Sequence, residues 1–477
     1  MNDVIIVGGG PVGLLLAGEL RLAGADPLVL ESADGAARRN RSFGLRGING
    51  RTSQSLRMRG LIEAFSEAQS ELSAVVRRLP GLMKGNRARG HFGGLPLVEN
   101  EPDPNGAGGF ILRQHVLEGI LAEWASGLGV RIRTSCEVVD VVQEDSEVRV
   151  VLADGGIERA AYLVGCDGGR SVVRKRTGFA FPGTDATMTG RIAAAELADP
   201  GVVESSVHGR GGTVLVSTVP GEISTMEFDG GPEDRDAPMT AGEMRASIRR
   251  VSGVEVTITR LDGGIRFSDN TRQVTTYRQG RVLLAGDAAH VHSPIGGQGL
   301  NLGLQDAMNL GWKLGLVAGG RAPESLLDTY TAERHPVGAR VLRNTRAQVA
   351  LMRPGPQAEA LREVLRETLE IPEAMRHFIA LGNGTDIDYA PDAVHPVVGR
   401  FAPVPLVSED GRALLVSGTE GIREMVNGRV RHVEADSGPS FLVRPDGYVA
   451  WATSDGDPAG LLEALRFVAG SREACIK

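Results

Sequence analysis

Cysteine is scarce in this sequence. Cys136, Cys166 and Cys475 are three thiols in 477 residues, odd in number, far apart and without a CxxC. That pattern argues against a disulfide framework or a zinc site and fits a reducing cytoplasm. An excess of positive charge is also missing. The net charge is −7, whereas a nucleic-acid binder normally carries a basic face. No apolar run approaches the ~18 residues of a membrane helix. The start, "MNDVIIVGGG", has neither the basic region nor the long apolar stretch of a signal peptide. The expectation is a cytoplasmic chain with no metal, nucleic acid or membrane as partner, long enough for two or three domains.

Glycine is plentiful: 65 residues with no G-X-Y period, which points to tight turns and close approach of backbone to a ligand. The stretch "DVIIVGGGPVGLLLAGELRLAGADPLVLES" reads as strand, turn, helix, strand. Val4–Val7 is a short continuous apolar run, as in a parallel strand buried on both faces. Gly8, Gly10 and Gly13 satisfy G-x-G-x-x-G. The first allows the turn, the second lets backbone approach a pyrophosphate, and the third lets helix and strand pack closely. The helix through Leu14, Ala17 and Leu20 stops near Gly24. Pro27–Leu30 forms the next strand and ends at Glu31, close to the ~20-residue offset of an acid that holds ribose hydroxyls. This is a dinucleotide fingerprint, and the carboxylate disfavours a 2′-phosphorylated ligand here.

A basic loop follows, with Arg38, Arg39 and Arg41, then Arg46 and Arg51 flanking "GING". Guanidiniums on that turn could reach a phosphate or stack on a planar ring. Residues 110–143 read as a helix with Leu117, Ile120, Leu121 and Trp124 on its buried face, then a strand. Gln114 stands at the helix start. Asp154-Gly155 marks a hairpin, whose return strand Tyr162–Cys166 ends at Asp167-Gly168. Taken alone, Asp167 reads first as a helix cap. A second glycine-rich loop follows the strand "RVLLAGDAAHVHSPIGGQGLN", and a helix begins near Leu300 with Leu304, Met308, Gly311 and Leu314 on one stripe. Its N-terminal amides would carry about half a positive charge toward whatever occupies the loop.

The fragments "GGGPVG…E", "CDGGRSVVR" and "LLAGDAAHVHSPIGGQGLN" resemble, in order and spacing, the GxGxxG, DG and GD motifs of the single-component FAD-dependent aromatic hydroxylases, the p-hydroxybenzoate hydroxylase-like family. "GHFGGLPL", "FPGTDATM" and "SLLDTYTAERHPVGARVL" are similar to the subgroup acting on polycyclic aromatic polyketides such as angucyclines. The resemblance covers about residues 1–400. It implies an α/β fold: a Rossmann-like FAD-binding domain, an inserted β-sheet substrate domain and a small thioredoxin-like C-terminal domain. The implied divisions are 1–180 and 276–390 for FAD binding with capping helices, 181–275 for the substrate sheet, and 391–477 for a shortened tail.

Both loops are then implied to bind one non-covalent FAD. Gly8, Gly10, Val12 and Gly13 would take the diphosphate, and Glu31 the ribose. Arg46 and Gln114 match positions contacting the flavin and its ribityl–phosphate arm, and Val138 joins the cofactor contacts. Asp167 and Gly168 match the DG pair, and Asp287 a ribityl contact. Gly296, Gly297, Gly299, Leu300 and Asn301 would lie along the isoalloxazine, with Pro294 at its edge. NADPH or NADH would be a transient reductant and O2 the co-substrate, adding at flavin C4a before one oxygen atom reaches an electron-rich ring. His290 and His292 are weak candidates for a proton relay.

The 180–275 region, with patterns such as "TVLVSTV" and "VEVTITRL", reads as sheet, and "QVALMRPGPQAEALREVLRETLEIPEAMRHFIALG" as capping helices. The tail has no CxxC, which points to packing or oligomerisation and away from redox activity. The leading expectation is a monooxygenase hydroxylating a small polycyclic aromatic molecule. Rival readings are Baeyer–Villiger insertion or ring rearrangement on the same fold, a flavin reductase or dehydrogenase, and a flavoprotein without turnover. The sequence leaves the oligomeric state, the exact substrate and the oxidised carbon open.

Overall fold

A computed structural model describes residues 2–35, 44–76, 88–98, 109–203, 207–209, 212–216, 221–426, 428–435 and 438–470. Arg38, Arg39, Arg41 and Cys475 lie outside these described residues.

The opening strand Asn2–Val7 is the centre of a parallel sheet. Pro27–Leu30 pairs with it on one side and Ile157–Gly165 on the other; Val282–Leu284 extends the sheet beyond Gly165. Residues 4–6 are fully buried, on both faces of the strand, which explains the unbroken apolar run. The first helix is Pro11–Leu22, with Pro11 in the first turn, where a missing N–H costs nothing. The strand Val148–Leu152 runs antiparallel to Ile157–Gly165 across the predicted Asp154-Gly155 turn, where Gly155 has φ +87°. The return strand is longer than expected, starting at Ile157.

The late helix is Gln298–Ala318, two residues earlier than its stripe suggests. It is not amphipathic in place: of its 21 residues all but Gly299, Leu300 and Ala318 are buried. One side packs on Pro11–Leu22, with Gly311 against Glu19 and Gly315 against Ala23; a Cβ on either glycine would come within 2.3 and 2.4 Å of those side chains' Cβ atoms. The opposite side carries Asp306, Asn309 and Lys313 into charged networks described below.

The middle sheet runs in the order Val207–Gly209, Gly212–Val216, Glu222–Glu227, Thr189–Leu197, Ile258–Ser268. "VEVTITRL" becomes strand only from Ile258. Helix Ala241–Ser252 covers one face, where Glu227 accepts from Arg191, Ser247 and Arg250. On the strand Thr189–Leu197, Gly190 leaves room for Phe267: a Cβ there would lie 2.1 Å from that ring. Phe267 joins Met188, Met226, Ile295, Val349 and Met352 in an apolar cluster reaching the glycine-rich loop.

Helices Asp328–Met352, Pro356–Leu369 and Pro372–Asn383 follow. The tail is a four-stranded sheet in which Ala413–Val416 and Val430–Val433 are parallel and Ser440–Val443 and Val449–Thr453 antiparallel, closed by helix Leu461–Ala469. Among the described residues, the connection between the parallel pair holds a one-turn helix, Glu420–Arg423, in keeping with a shortened thioredoxin-like unit. The tail is bolted to the body by buried charge: Arg59 donates to Glu19 at 2.6 Å and also to the carbonyls of Ser408 and Pro445. Among the described residues no helix is long and apolar enough to cross a membrane.

Candidate active site

Three glycines in the first turn serve three different ends. A Cβ on Gly8 would come 2.3 Å from the Cys166 carbonyl oxygen, and one on Gly13 only 2.0 Å from the carbonyl oxygen of Gly8. Both are glycine so that strand, turn and helix can touch. A Cβ on Gly10 would meet nothing within 4 Å. Gly10 is also the helix N-cap, with no side-chain cap, so the first-turn amides face that open space. The donor set and the open cradle suit a diphosphate. Glu31 closes one side, accepting from the N–H of Gly9 at 2.7 Å and of Ala33 at 2.8 Å.

The two glycine-rich loops meet at Val12. A Cβ on Gly286 would lie 3.2 Å from its side chain, and one on Gly303 2.7 Å from it. The turn at residues 8–13 and the turn at 286–287 therefore form adjoining walls of one cleft.

Asp287 opens into that cleft and has no hydrogen-bond partner among the described residues. The surrounding protein still desolvates it enough to raise its carboxyl above the ordinary range, opposed by His290 and Arg46. Arg46 donates to the Gln114 side-chain oxygen at 3.0 Å, and Gln114 donates to Glu118 at 2.9 Å. Burial lowers the Arg46 pKa against the pull of Asp287, Glu118 and Glu222. The structure thus gathers Arg46, Gln114 and Asp287 at one wall.

Farther along, Gly297 caps Gln298–Ala318 with φ +64° and no side-chain bond, and a Cβ on it would meet nothing within 4 Å. Asn301 donates to the carbonyls of Gly47 at 2.8 Å and Gly297 at 3.0 Å and accepts from Asn49 N–H at 2.9 Å. It locks the strand Leu45–Ile48 beside the helix N-terminus. The open, positively polarised end between them suits a planar ring with an electron-rich edge. Pro294 is exposed at the rim and Leu300 partly buried.

Other candidates have more structural surroundings. Asp167 is a cap, accepting from Val172 and Val173 N–H at 2.7 and 3.1 Å, but its buried Oδ1 has no partner among the described residues. Burial raises its pKa, opposed by Ser171 and backbone N–H groups. Gly168 has φ +77° and open space beside it. Val138 is 5% exposed and belongs to the hydrophobic core. Arg51 does stack on a ring, but the ring is Phe401, 4.1 Å away, and its nitrogens donate to the Gly384 and Thr385 carbonyls.

His290 lies beneath the cleft, fully buried, with Nε2 2.7 Å from Asp306. Asp306 also accepts from Gly286 N–H at 3.2 Å and from Arg334 Nε at 2.8 Å, and Arg334 donates to Tyr389 at 3.0 Å. Burial pushes Asp306 upward, but Arg334 and His290 outweigh it and hold the carboxylate ionised. This network braces the 286–287 turn. Sequence reasoning missed Asp306 and Arg334; Asp306, the single carboxylate on the helix Gln298–Ala318, was the available signal. His292 donates from Nδ1 to the Ser293 carbonyl at 2.7 Å, while Nε2 is buried near Gly299 without a partner among the described residues. Burial lowers its pKa to about 4, so it is neutral at pH 7.

Beside the glycine loop is a cavity of roughly 620 Å3. Gly296 and Gly297 form part of its wall, with His91, Phe110, Ile379 and Phe401 among the others. The described lining contains no carboxylate.

An FAD binding domain model matches residues 1–345, and an aromatic-ring hydroxylase C-terminal model matches residues 404–471. The 12-dehydrotetracycline 5-monooxygenase/anhydrotetracycline 6-monooxygenase of Streptomyces rimosus is 39% identical, covering 97% of this chain and 98% of its own. The crystal structure of CabE, an aromatic hydroxylase from angucycline biosynthesis, superposes with a TM-score of 0.86 at 36% identity, covering 99% of this chain and 100% of its own. A dialkyldecalin synthase of Streptomyces rugosporus is 36% identical over 97% of this chain and 98% of its own.

Proposed function

This chain belongs to the FAD-dependent aromatic-ring hydroxylases, and on that premise we propose that its substrate is a polycyclic aromatic polyketide, bound in the cavity beside Gly296 and Gly297 and hydroxylated there. The protein is a flavin-dependent monooxygenase that uses FAD, a nicotinamide reductant and O2. When bound, FAD supplies the activation of O2 and the transfer of one oxygen atom to the substrate, after reduction by the nicotinamide.

What this chain contributes is binding, orientation and exclusion of water. Gly8, Gly10 and Gly13 with the first-turn amides would hold the diphosphate, and Glu31 the adenosine ribose. Arg46, Gln114 and the unpartnered Asp287 would grip the ribityl arm. Gly296, Gly297, Gly299, Leu300 and Asn301 would receive the ring, with Pro294 at its edge. The open helix N-terminus favours negative charge on the ring edge it meets, by a few tenths to ~2 kcal/mol. That corresponds to a shift of up to about one pKa unit in the ring's ionisation. Residues 1–180 and 276–390 would form the cofactor half, 181–275 the substrate sheet and 391–477 the tail. A cytoplasmic location, with its supply of NADPH or NADH, goes with this reading.

The observation that carries it is the meeting of two distant glycine turns at Val12 around one open cleft. The similarity to a dialkyldecalin synthase gives weight to a second reading in which FAD is kept and no oxygen is inserted. The deciding experiment supplies NADPH, ¹⁸O2 and a panel of polycyclic hydroxyquinones to the purified yellow protein. One labelled oxygen in a phenolic product is expected. A lactone product would replace hydroxylation with Baeyer–Villiger insertion, and unlabelled product would remove monooxygenation for that substrate.

A further inference from the structure

His91 is a residue that the cofactor assignment leaves unused. It lies on the hairpin Ala88–Phe92/Leu95–Val98, whose turn is made by Gly93 and Gly94 at φ +57° and +85°. The next residue, Phe92, packs edge-on against Phe378 at 4.8 Å, anchoring the hairpin to the capping helix Pro372–Asn383. A second anchor ties the hairpin to the glycine-rich loop. Gln348 accepts from Gly93 N–H at 3.2 Å, and its side-chain nitrogen lies 2.8 Å from where a Cβ on Gly296 would be. One buried glutamine therefore fixes the spacing between His91 and the loop that would receive the ring.

The tautomer of His91 is set locally. Gly94 N–H donates to Nδ1 at 3.3 Å, so the proton of the neutral ring sits on Nε2. Nε2 has no acceptor among the described residues, although His91 lines the cavity. Desolvation by the surrounding protein lowers the His91 pKa although the side chain itself is exposed, so the neutral ring prevails at pH 7. The charged groups on the same cavity are Arg51, held by Gln54 and two carbonyls, and Arg400, paired with Asp388 at 3.1 Å. Neither offers Nε2–H an acceptor. The His91 side chain is exposed, so Nε2–H is free to donate to an oxygen of a bound ligand.

We propose that His91 is the substrate-orienting residue of this enzyme, its Nε2–H donating to a carbonyl or phenolic oxygen of the bound polycycle and so setting which carbon faces the glycine-rich loop. The proposal rests on the cavity being the substrate site. The donor enters at a fixed place relative to Gly296, so losing it frees the ligand to slide and turn in its own plane.

The test uses anhydrotetracycline as probe, the FAD-loaded protein, and His91→Phe and His91→Gln. Dissociation constants come from quenching of flavin fluorescence, and the positions of hydroxylation from product analysis; FAD content reports the fold. His91→Phe is expected to weaken probe binding about tenfold and to spread the product over more than one position. His91→Gln, whose amide can place a donor near the Nε2 position, is expected to recover binding to within about threefold. Unchanged binding and product in both variants would overturn the role of His91 alone. Equal weakening in both, with lost FAD, would overturn it in favour of a merely structural residue. Wild-type protein that does not bind the probe would remove the substrate reading of the cavity and the proposal with it.

Discussion

Gly10 and Gly13 should both lose FAD when replaced by alanine, but for different reasons. At Gly10 the backbone (φ −72°, ψ −179°) is open to any residue, and the added methyl meets nothing within 4 Å. Reduced freedom in the unfolded chain contributes about 0.4–1 kcal/mol of stability. Alanine is a poorer N-cap than glycine by a similar amount. The two terms nearly cancel, so the apoprotein's stability should stay within about 1 kcal/mol of wild type. FAD is another matter, because the methyl stands where the diphosphate must approach the backbone. Losing one or two charge-assisted hydrogen bonds, at about 1.5–3 kcal/mol each, lowers affinity by at least tenfold. At Gly13 the methyl would lie 2.0 Å from the Gly8 carbonyl oxygen, far inside van der Waals contact. Helix Pro11–Leu22 would have to lift off the strand, at about 1–3 kcal/mol. That outweighs the ~1 kcal/mol alanine gains inside a helix only in the upper part of the range, but the distorted turn loses FAD in either case. The assay is urea unfolding of both apoproteins beside FAD titration by fluorescence. A Gly10→Ala apoprotein weakened by 2 kcal/mol or more, or one binding FAD as tightly as wild type, would refute the reasoning.

Asp306→Asn leaves the fully buried Arg334 without its countercharge; stability should fall by about 3–5 kcal/mol, and adding Arg334→Met should recover part of it in a double-mutant cycle. If the two changes simply add, the network does not act as a unit. Burial holds His292 at about 4 against an ordinary 6.5, so between those pH values the folded chain binds fewer protons than the unfolded one. The stability associated with neutral His292 is intact above 6.5 and drains as pH falls toward 4, by up to about 1.4 kcal/mol per pH unit. His292→Asn should flatten the slope of unfolding free energy measured in urea between about pH 6.5 and 5, and an unchanged slope would assign the effect elsewhere. Arg444 donates to both oxygens of Glu333 at 2.8 Å, and burial lowers the neighbouring Lys313 to about 8. Arg444→Met should loosen the tail from the body, seen as faster proteolytic release of residues beyond 400; cleavage at the wild-type rate would show that the Arg59–Glu19 bolt suffices alone.

What could be read in the sequence is what is enforced by neighbours in the chain. The first turn, the strand Pro27–Leu30 and the helix ending near Gly24 follow from glycine spacing and apolar runs within thirty residues, and each lies where those signals put it. The late helix was legible as a helix but not as a buried one. Its polar residues look like a solvent face until Arg334, Glu333 and Asp446 arrive from 20 to 137 positions away to satisfy them. Arg51 shows the same limit: its sequence surroundings suggest a phosphate or a planar ring as partner, whereas in the fold it stacks on Phe401 in the tail connection. Asp167 shows how one side chain can answer to both levels, one oxygen capping a helix beside it and the other buried with no partner among the described residues. The glycine at 286 is the strongest case. Its positive φ is a local property, but the reason no larger residue fits on that side is Val12, on the other loop. Two turns that look redundant along the chain are therefore parts of a single constraint. A bulkier residue at either one should narrow the same cleft, and FAD affinity should respond to Val12→Ile in the same direction as to Gly286→Ala.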